Sequence, residues 1–275
     1  MNKVQKGFRA LKLLFKHPYL LNLVLESEDV YKEELSKKYG LANGLPLLHL
    51  EELFPGFQET VSPYAYLSGA TMPIDIALLK SVARRQNAQS YFEIGTWRGE
   101  SVANVASVVP HCVTLNLSRE EILTLSDDPN YADAHELFSQ KLDNVTHLHG
   151  NSQTFDFAPY HHQYDLVFID GDHHNEAVKK DTQNAFELLR DEKSVIVWHD
   201  YGYDPETIRW SVLGAIWEGT PKEKRQYLYQ VANTMCAIYL PETLPTEKLT
   251  PYAPPQHCYE VGLKSVPFGL QPSTY

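Results

Sequence analysis

Tyr91-Phe92-Glu93-Ile94-Gly95-Thr96-Trp97-Arg98-Gly99 carries an apolar strand pattern into two glycines four residues apart and then into a helical pattern. Gly95 lets the backbone turn tightly at the strand end, and Gly99 removes a Cβ where the helix begins. The exposed amides of that first helical turn, Thr96 among them, suit a polar ligand. The spacing is G-x-x-x-G. It matches neither the G-x-G-x-x-G of dinucleotide sites nor the G-x-x-x-x-G-K-[ST] of nucleoside triphosphate sites, so both ligand classes lose ground.

Outward from this turn, short apolar runs alternate with helical segments. The expected strands are Tyr91–Ile94, Cys112–Leu117, Val145–Leu148, Leu166–Ile169 and Val195–Trp198, with helices near Glu100–Val108 and Asn175–Arg190. That alternation predicts an α/β fold around a mostly parallel sheet. After a helix around Ile208–Trp217, the segments Gln226–Val231 and Met235–Leu240 lie too close for a crossover helix and read as an antiparallel C-terminal hairpin. Upstream, helical periodicity around residues 28–39 and Ile74–Ala88 predicts an N-terminal helical cap over residues 1–70. A main domain over 71–240 and a proline-rich tail over 241–275 complete the division.

The first helix is unusual. Val4, Phe8, Leu11 and Phe15 recur at helical spacing, Lys3, Lys6, Arg9, Lys12 and Lys16 occupy most of the remaining surface, and no acid precedes Glu26. The expectation is a helix whose apolar stripe packs on the main domain or on a second subunit, with a membrane-surface or acidic-substrate role as the alternative. Pro18 ends or kinks it. Lys12 and Lys16 interrupt the apolar stretch and no small-residue cleavage site follows, so the segment reads as mature structure rather than a signal peptide.

The 275 residues are 43% hydrophobic with a formal net charge of −11, which disfavours a broad phosphate-neutralising surface and makes nucleic acid a poor partner. Cys112, Cys236 and Cys258 are odd in number and lack C-x-x-C spacing, so neither a disulfide framework nor a cysteine-built zinc site is expected. A cytoplasmic location follows as the expectation. No apolar run approaches the roughly 18 to 20 residues that span a bilayer, so no integral membrane segment is expected.

Two further strand ends carry chemistry. Leu166–Ile169 leads into Asp170-Gly171-Asp172-His173-His174, and Val195–Trp198 leads into His199-Asp200-Tyr201. In an open α/β sheet the carboxyl ends of the strands are where ligands bind. Asp170 and Asp200 are oxygen ligands suited to magnesium, and His199 would shift the preference towards manganese, iron or zinc. A cation there would act as a Lewis acid on a substrate hydroxyl. His173, whose ordinary pKa of about 6.5 suits general-base work at neutral pH, is the preferred catalytic base beside Asp170. His174 is the alternative. Tyr201, Tyr203, Asp204 and Trp210 are candidates for an acceptor pocket, with core packing the expected use of Trp210.

With Glu93, Gly95 and Gly99 in the first turn and the antiparallel hairpin at the end, residues 70–240 resemble class I S-adenosylmethionine-dependent methyltransferases. Phe168–His173 and Val195–Tyr201 narrow the resemblance to bacterial metal-assisted small-molecule O-methyltransferases of the macrolide-sugar and cephalosporin-hydroxylase-like group. The resemblance implies a Rossmann-like methyltransferase sheet. It also implies that Glu93 orients the methionine end of S-adenosylmethionine, with Gly95, Thr96 and Gly99 letting the cofactor lie against the backbone. Asn116 stands where the family places an acid for the ribose, with Glu120 or Glu121 as substitutes, and Asn151 and Ser152 stand where relatives contact adenine. Asp170 joins both the cofactor and the metal sets, the latter completed by His199 and Asp200, for magnesium or manganese. The implied function is O-methylation of a hydroxyl on a sugar or other small metabolite. The alternatives are a metal-dependent hydroxylase-like enzyme on the same fold and a non-catalytic S-adenosylmethionine-binding or scaffold protein.

Overall fold

The computed structural model describes residues 1–25 and 27–268, so residues 269–275, with Pro272 of the expected tail, lie outside the described residues. From the N-terminus the chain forms α1 (Lys3–Lys16), α2 (Leu20–Leu25), α3 (Glu28–Tyr39), a two-residue strand β1 (Leu47–Leu48), a short α4 (Leu50–Leu53) and α5 (Pro73–Arg85). The expected alternation follows as β2 (Ser90–Ile94), α6 (Glu100–Val105), β3 (His111–Asn116), α7 (Arg119–Leu125), α8 (Pro129–Asp133), β4 (Val145–His149), β5 (Leu166–Ile169), α9 (Asn175–Leu188) and β6 (Val195–Trp198). A small ribbon of β7 (Gly202–Asp204) and β8 (Thr207–Ile208) precedes α10 (Trp210–Gly219), β9 (Leu228–Val231) and β10 (Ala237–Tyr239).

Local chemistry sets several of these boundaries. Pro73 occupies the first turn of α5, where its missing N–H costs nothing. Gly40 ends α3 in the left-handed conformation with φ 74°. Ser118 and Glu121 form a reciprocal capping box at the start of α7, which commits the Glu121 carboxylate to Ser118.

The sheet runs in the order β1-β9-β10-β6-β5-β2-β3-β4. β10 is antiparallel to both β6 and β9, and the other pairings are parallel. The mostly parallel sheet closed by an antiparallel hairpin is the architecture expected from the sequence. β1 was not expected: a strand from the N-terminal segment adds to the β9 edge.

Alternation along the strands feeds two cores. Phe92, Ile94, Val167, Ile169, Ile196 and Trp198 pack on the face with α9 and α10 residues such as Val178 and Leu213. Tyr91, Leu166, Phe168, Val195 and Val197 face the other way, onto Leu78, Leu79 and Val82 of α5. A strand buried on both faces reads as a continuous apolar run, as β5 and β6 do, whereas β2 also buries Ser90 and Glu93.

The chain leaves β2 for β3 and β4 on one side and returns to β5 on the other, so strand order reverses between β2 and β5. That switch point opens a crevice at the carboxyl ends of the strands. Glu28 of α3 braces the adjoining region: its Oε2 accepts from the backbone N–H groups of Trp210 and, at 3.2 Å, Ser211, while Oε1 accepts from Ser211 Oγ at 2.7 Å. A carboxylate on the free amides of α10 is favourable by hydrogen bonding and by the helix dipole.

α1 does not pack on the main domain, one of the two arrangements expected of it. None of its residues is buried, and its apolar stripe does not cover either core. His17 and Pro18 connect α1 to α2, against which it lies.

Candidate active site

Register brings the acids and imidazoles together. Ile94 pairs with Ile169, and Ile169 with Trp198, so the next residue of each strand, Gly95, Asp170 and His199, emerges at one level. His199 N–H donates to Ile169 O at 2.9 Å and Asp170 N–H to Ile94 O at 2.8 Å, which fixes both strand exits. Asp200 then takes a left-handed φ of 55°. This turn sends its carboxylate back towards its neighbours.

His199 Nδ1 lies 3.1 Å from Asp170 Oδ1 and 3.1 Å from Asp200 Oδ2. One ligating atom each from Asp170, His199 and Asp200 fits within 4.8 Å of the others, two oxygens and one nitrogen. Thr71 Oγ1 donates to Asp170 Oδ2 at 3.0 Å, and Arg209 Nη1 stands 3.6 Å from Asp200 Oδ1. Burial opposes a charge on His199, but the carboxylates of Asp170, Asp200 and Asp75 outweigh it and push its pKa well above the ordinary histidine range. Burial likewise works against ionised Asp200, and the facing His199, His173 and Arg209 hold its pKa below the usual carboxylate value.

The two adjacent histidines separate. His173 Nδ1 lies 3.1 Å from Asp200 Oδ2, at the edge of the cluster. His174 occupies the N-cap position of α9, has an 86% exposed side chain and pairs with Asp172.

Sequence reasoning missed Asp75. This fully buried acid of α5 places Oδ2 3.1 Å from His199 Nε2, and its Oδ1 accepts from Met235 N–H at 3.1 Å. An acid on the buried face of an apolar helix was the available signal. With Nε2–H directed at Asp75, Nδ1 is the nitrogen presented to Asp170 and Asp200.

At the glycine turn, Gly95 has φ 93°, and a Cβ there would stand 2.2 Å from Asp170 O and 2.6 Å from Gly171 Cα. The glycine is needed first for close approach of the β2 and β5 exits. Gly99 has φ 81° and sits against Ser139, where a Cβ would meet Oγ at 2.3 Å. Glu93 is fully buried; Tyr91 Oη donates to its Oε2 at 2.5 Å and Ser101 Oγ to its Oε1 at 2.9 Å. Burial pushes its pKa up to about 8 despite these donors. Thr96 is buried beside it.

Residues 92–201, from β2 through Tyr201, match the family model described as a methyltransferase domain. This segment is a methyltransferase domain by that match. The chain is also similar to solved structures. An O-methyltransferase from Bacillus cereus in complex with S-adenosylhomocysteine is 20% identical at TM-score 0.43, with 62% of this chain and 82% of that chain covered. TomG, an O-methyltransferase from Streptomyces achromogenes involved in tomaymycin synthesis, is 21% identical at TM-score 0.42, covering 62% and 81%. The methyltransferase PaMTH1 from Podospora anserina is 16% identical at TM-score 0.44, covering 62% and 80%. No curated protein matches the chain. Among the described residues, no helix of the methyltransferase is long and apolar enough to cross a membrane.

At the far side of the methyltransferase crevice, Asn116 ends β3, and its Nδ2 is buried without an acceptor among the described residues. Asn151 Oδ1 accepts from Gln153 N–H, and Ser152 Oγ from Gln153 Nε2 at 3.1 Å, in the turn after β4. Gln153 Nε2 also reaches Asp181 Oδ1 at 3.1 Å, and burial pushes the Asp181 pKa up to about 7. Of the acceptor-lining candidates, Tyr201 is buried in the core instead, and Trp210 packs in the core as expected. Tyr201 Oη accepts from Leu45 N–H at 3.0 Å, which pins the N-terminal segment. Tyr203 is exposed, with Arg209 stacked 4.5 Å from its ring centre.

Proposed function

We propose that this methyltransferase transfers the methyl group of S-adenosylmethionine to a hydroxyl of a sugar or other small metabolite, assisted by magnesium or manganese. The observation that carries the reading is the convergence of Asp170, His199 Nδ1 and Asp200 with His173 at their edge. Two carboxylate oxygens and one imidazole nitrogen form a donor set that fits a hard to borderline divalent cation. The unpartnered Asn116 Nδ2 suits a ribose hydroxyl as acceptor, and Glu93, Gly95, Thr96, Gly99, Asn151 and Ser152 are the further residues this reading assigns to the cofactor. In this reading residues 71–240 hold the chemistry, with residues 1–70 as cap and 241–275 as tail. The location is cytoplasmic.

When bound, the cofactor supplies a methyl group on a positively charged sulfur and the cation supplies Lewis acidity. His173 takes the acceptor's proton. Its Nδ1 is engaged by Asp200, so Nε2 is the nitrogen left to face the hydroxyl. Asp170 and Asp200 hold charge opposite that event; Thr71 donates to the second oxygen of Asp170, and the Arg209 cation stands near that of Asp200.

The test is calorimetric titration of the full, metal-stripped chain with S-adenosylmethionine and with manganese, followed by methyl transfer to a panel of hydroxylated sugars. His173→Ala should retain both bindings and lower kcat by about 100-fold or more, while His174→Ala stays near wild type. Equal losses from the two variants would remove His173 from the role. Turnover that requires iron and oxygen would move the site to hydroxylase chemistry.

A further inference from the structure

α1 has the composition of a buried helix on one side and none of the burial. Asn2 and Gln5 cap it reciprocally, Asn2 Oδ1 accepting from Gln5 N–H at 2.9 Å, so it begins as a self-contained helix. At about 100° per residue, Val4, Phe8, Leu11 and Phe15 fall within roughly 60° of one another around the axis. Their exposures run from 54% at Leu11 to 87% at Phe15. Tyr19, Leu21 and Leu25 extend the exposed apolar surface through α2. A helix of 14 residues is marginal in water by itself, and its stripe calls for a cover.

Charge decides what covers it. Lys3, Lys6, Arg9, Lys12 and Lys16 occupy most of the remaining arc, with Leu13 among them, and no acid occurs before Glu26. A second α1 laid on the stripe would bring five more cations to the same place. The acid-rich body of the chain, 35 acids against 24 bases overall, leaves the helix uncovered among the described residues. An anionic bilayer interface meets both halves of the helix at once, with apolar side chains at the acyl boundary and cations among the headgroups. At about 1.5 Å per residue α1 is too short to cross a hydrocarbon core of about 30 Å, so it lies in the plane.

We propose that α1 docks this protein on an anionic membrane surface, through Val4, Phe8, Leu11 and Phe15 below and the five basic side chains around them. The uneven charge fixes the orientation. The positive helix faces the lipid, while the body, negative overall, is held away from it by repulsion. This inference is independent of the acceptor and metal assignments above.

The experiment is co-sedimentation of the full chain with vesicles of phosphatidylcholine alone and of phosphatidylcholine with phosphatidylglycerol. Binding is expected on the phosphatidylglycerol vesicles, weakening with added salt and small on phosphatidylcholine. Phe8→Glu with Phe15→Glu, and separately Lys6→Glu with Lys12→Glu, should each lower the vesicle partition more than about tenfold. Both pairs are exposed, and circular dichroism should show an unchanged fold. In a Leu11→Trp variant the indole emission should shift to the blue on phosphatidylglycerol vesicles only. Absence of binding to those vesicles, or binding indifferent to both pairs of substitutions, overturns the proposal. A dimer in solution that Phe8→Glu splits, without vesicle binding, overturns it in favour of a second copy of the chain.

Discussion

Asp75 shows how a single buried carboxylate sets the chemistry of a site it does not enter. It accepts from His199 Nε2 and from the Met235 amide, so His199 has a fixed ring orientation and a fixed tautomer whenever it is neutral. In Asp75→Asn the amide retains one acceptor oxygen for Met235 and turns an NH2 towards Nε2. The imidazole then carries its proton on Nδ1, pointing it at Asp170 and Asp200. Manganese affinity, read by calorimetry on the full chain, should fall about 10- to 100-fold while S-adenosylmethionine affinity is retained. Unchanged manganese affinity would mean that Asp75 serves packing alone. In the sequence, Asp75 resembled any acid on a helix, because its partner lies 124 residues away. The histidine pair was ambiguous for a different reason. Neighbouring residues share a composition, and only the N-cap geometry of α9, which turns His174 outward, tells them apart.

At the scale of elements, α3 and α10 are joined through Glu28, whose carboxylate covers two free amides and one hydroxyl at the α10 N-terminus. Removing it in Glu28→Ala should cost about 1 to 2 kcal/mol in a denaturant titration, because the amides lose both a cap and a favourable charge. Glu33→Ala, whose ion pair with Lys37 is exposed on the same helix, should leave the midpoint unchanged. A null result at Glu28 would show that water replaces the cap at no net loss. The contrast explains what was legible. β5 and β6 stood out because strands covered on both faces are apolar throughout, β2 because its apolar residues run into the glycine turn, and the β9–β10 hairpin because its connection has no room for a helix. β1 was invisible: two residues after Pro46 carry no period, and they form a strand only because β9, far along the chain, offers an edge. The α1 stripe was legible as amphipathic, but a periodic pattern does not name what lies against it.

For the whole molecule, three buried groups tilt stability in one direction. Folding raises the Glu93 carboxyl from 4.5 to about 8 and Asp181 from 3.8 to about 7, both through burial. Between the unfolded and folded values the native state holds a proton that the unfolded chain has released. Stability therefore falls as pH rises across about 4.5 to 8 for Glu93 and about 3.8 to 7 for Asp181. His199 adds to the trend. Its folded pKa lies well above 6.5, so its contribution is complete below 6.5 and declines as pH rises towards the folded value. Glu218 works the other way, but only in acid: with its pKa lowered to about 2, chiefly by Lys38, its contribution is lost as pH falls from 4.5. The metal-free protein should thus be most stable on the acid side of neutrality, with denaturant midpoints declining from about pH 5 to 8. Glu93→Gln should flatten that decline above pH 5 and leave a residual slope that Asp181→Asn removes up to about pH 6.5, above which the His199 contribution remains. Manganese should reverse the trend, since a neutral His199 is the form that ligates and stabilisation by a bound ion grows with affinity. A midpoint that rises from pH 5 to 8 without metal would show that these carboxyls ionise inside the fold, with water or a rearranged turn relieving the cost of their burial.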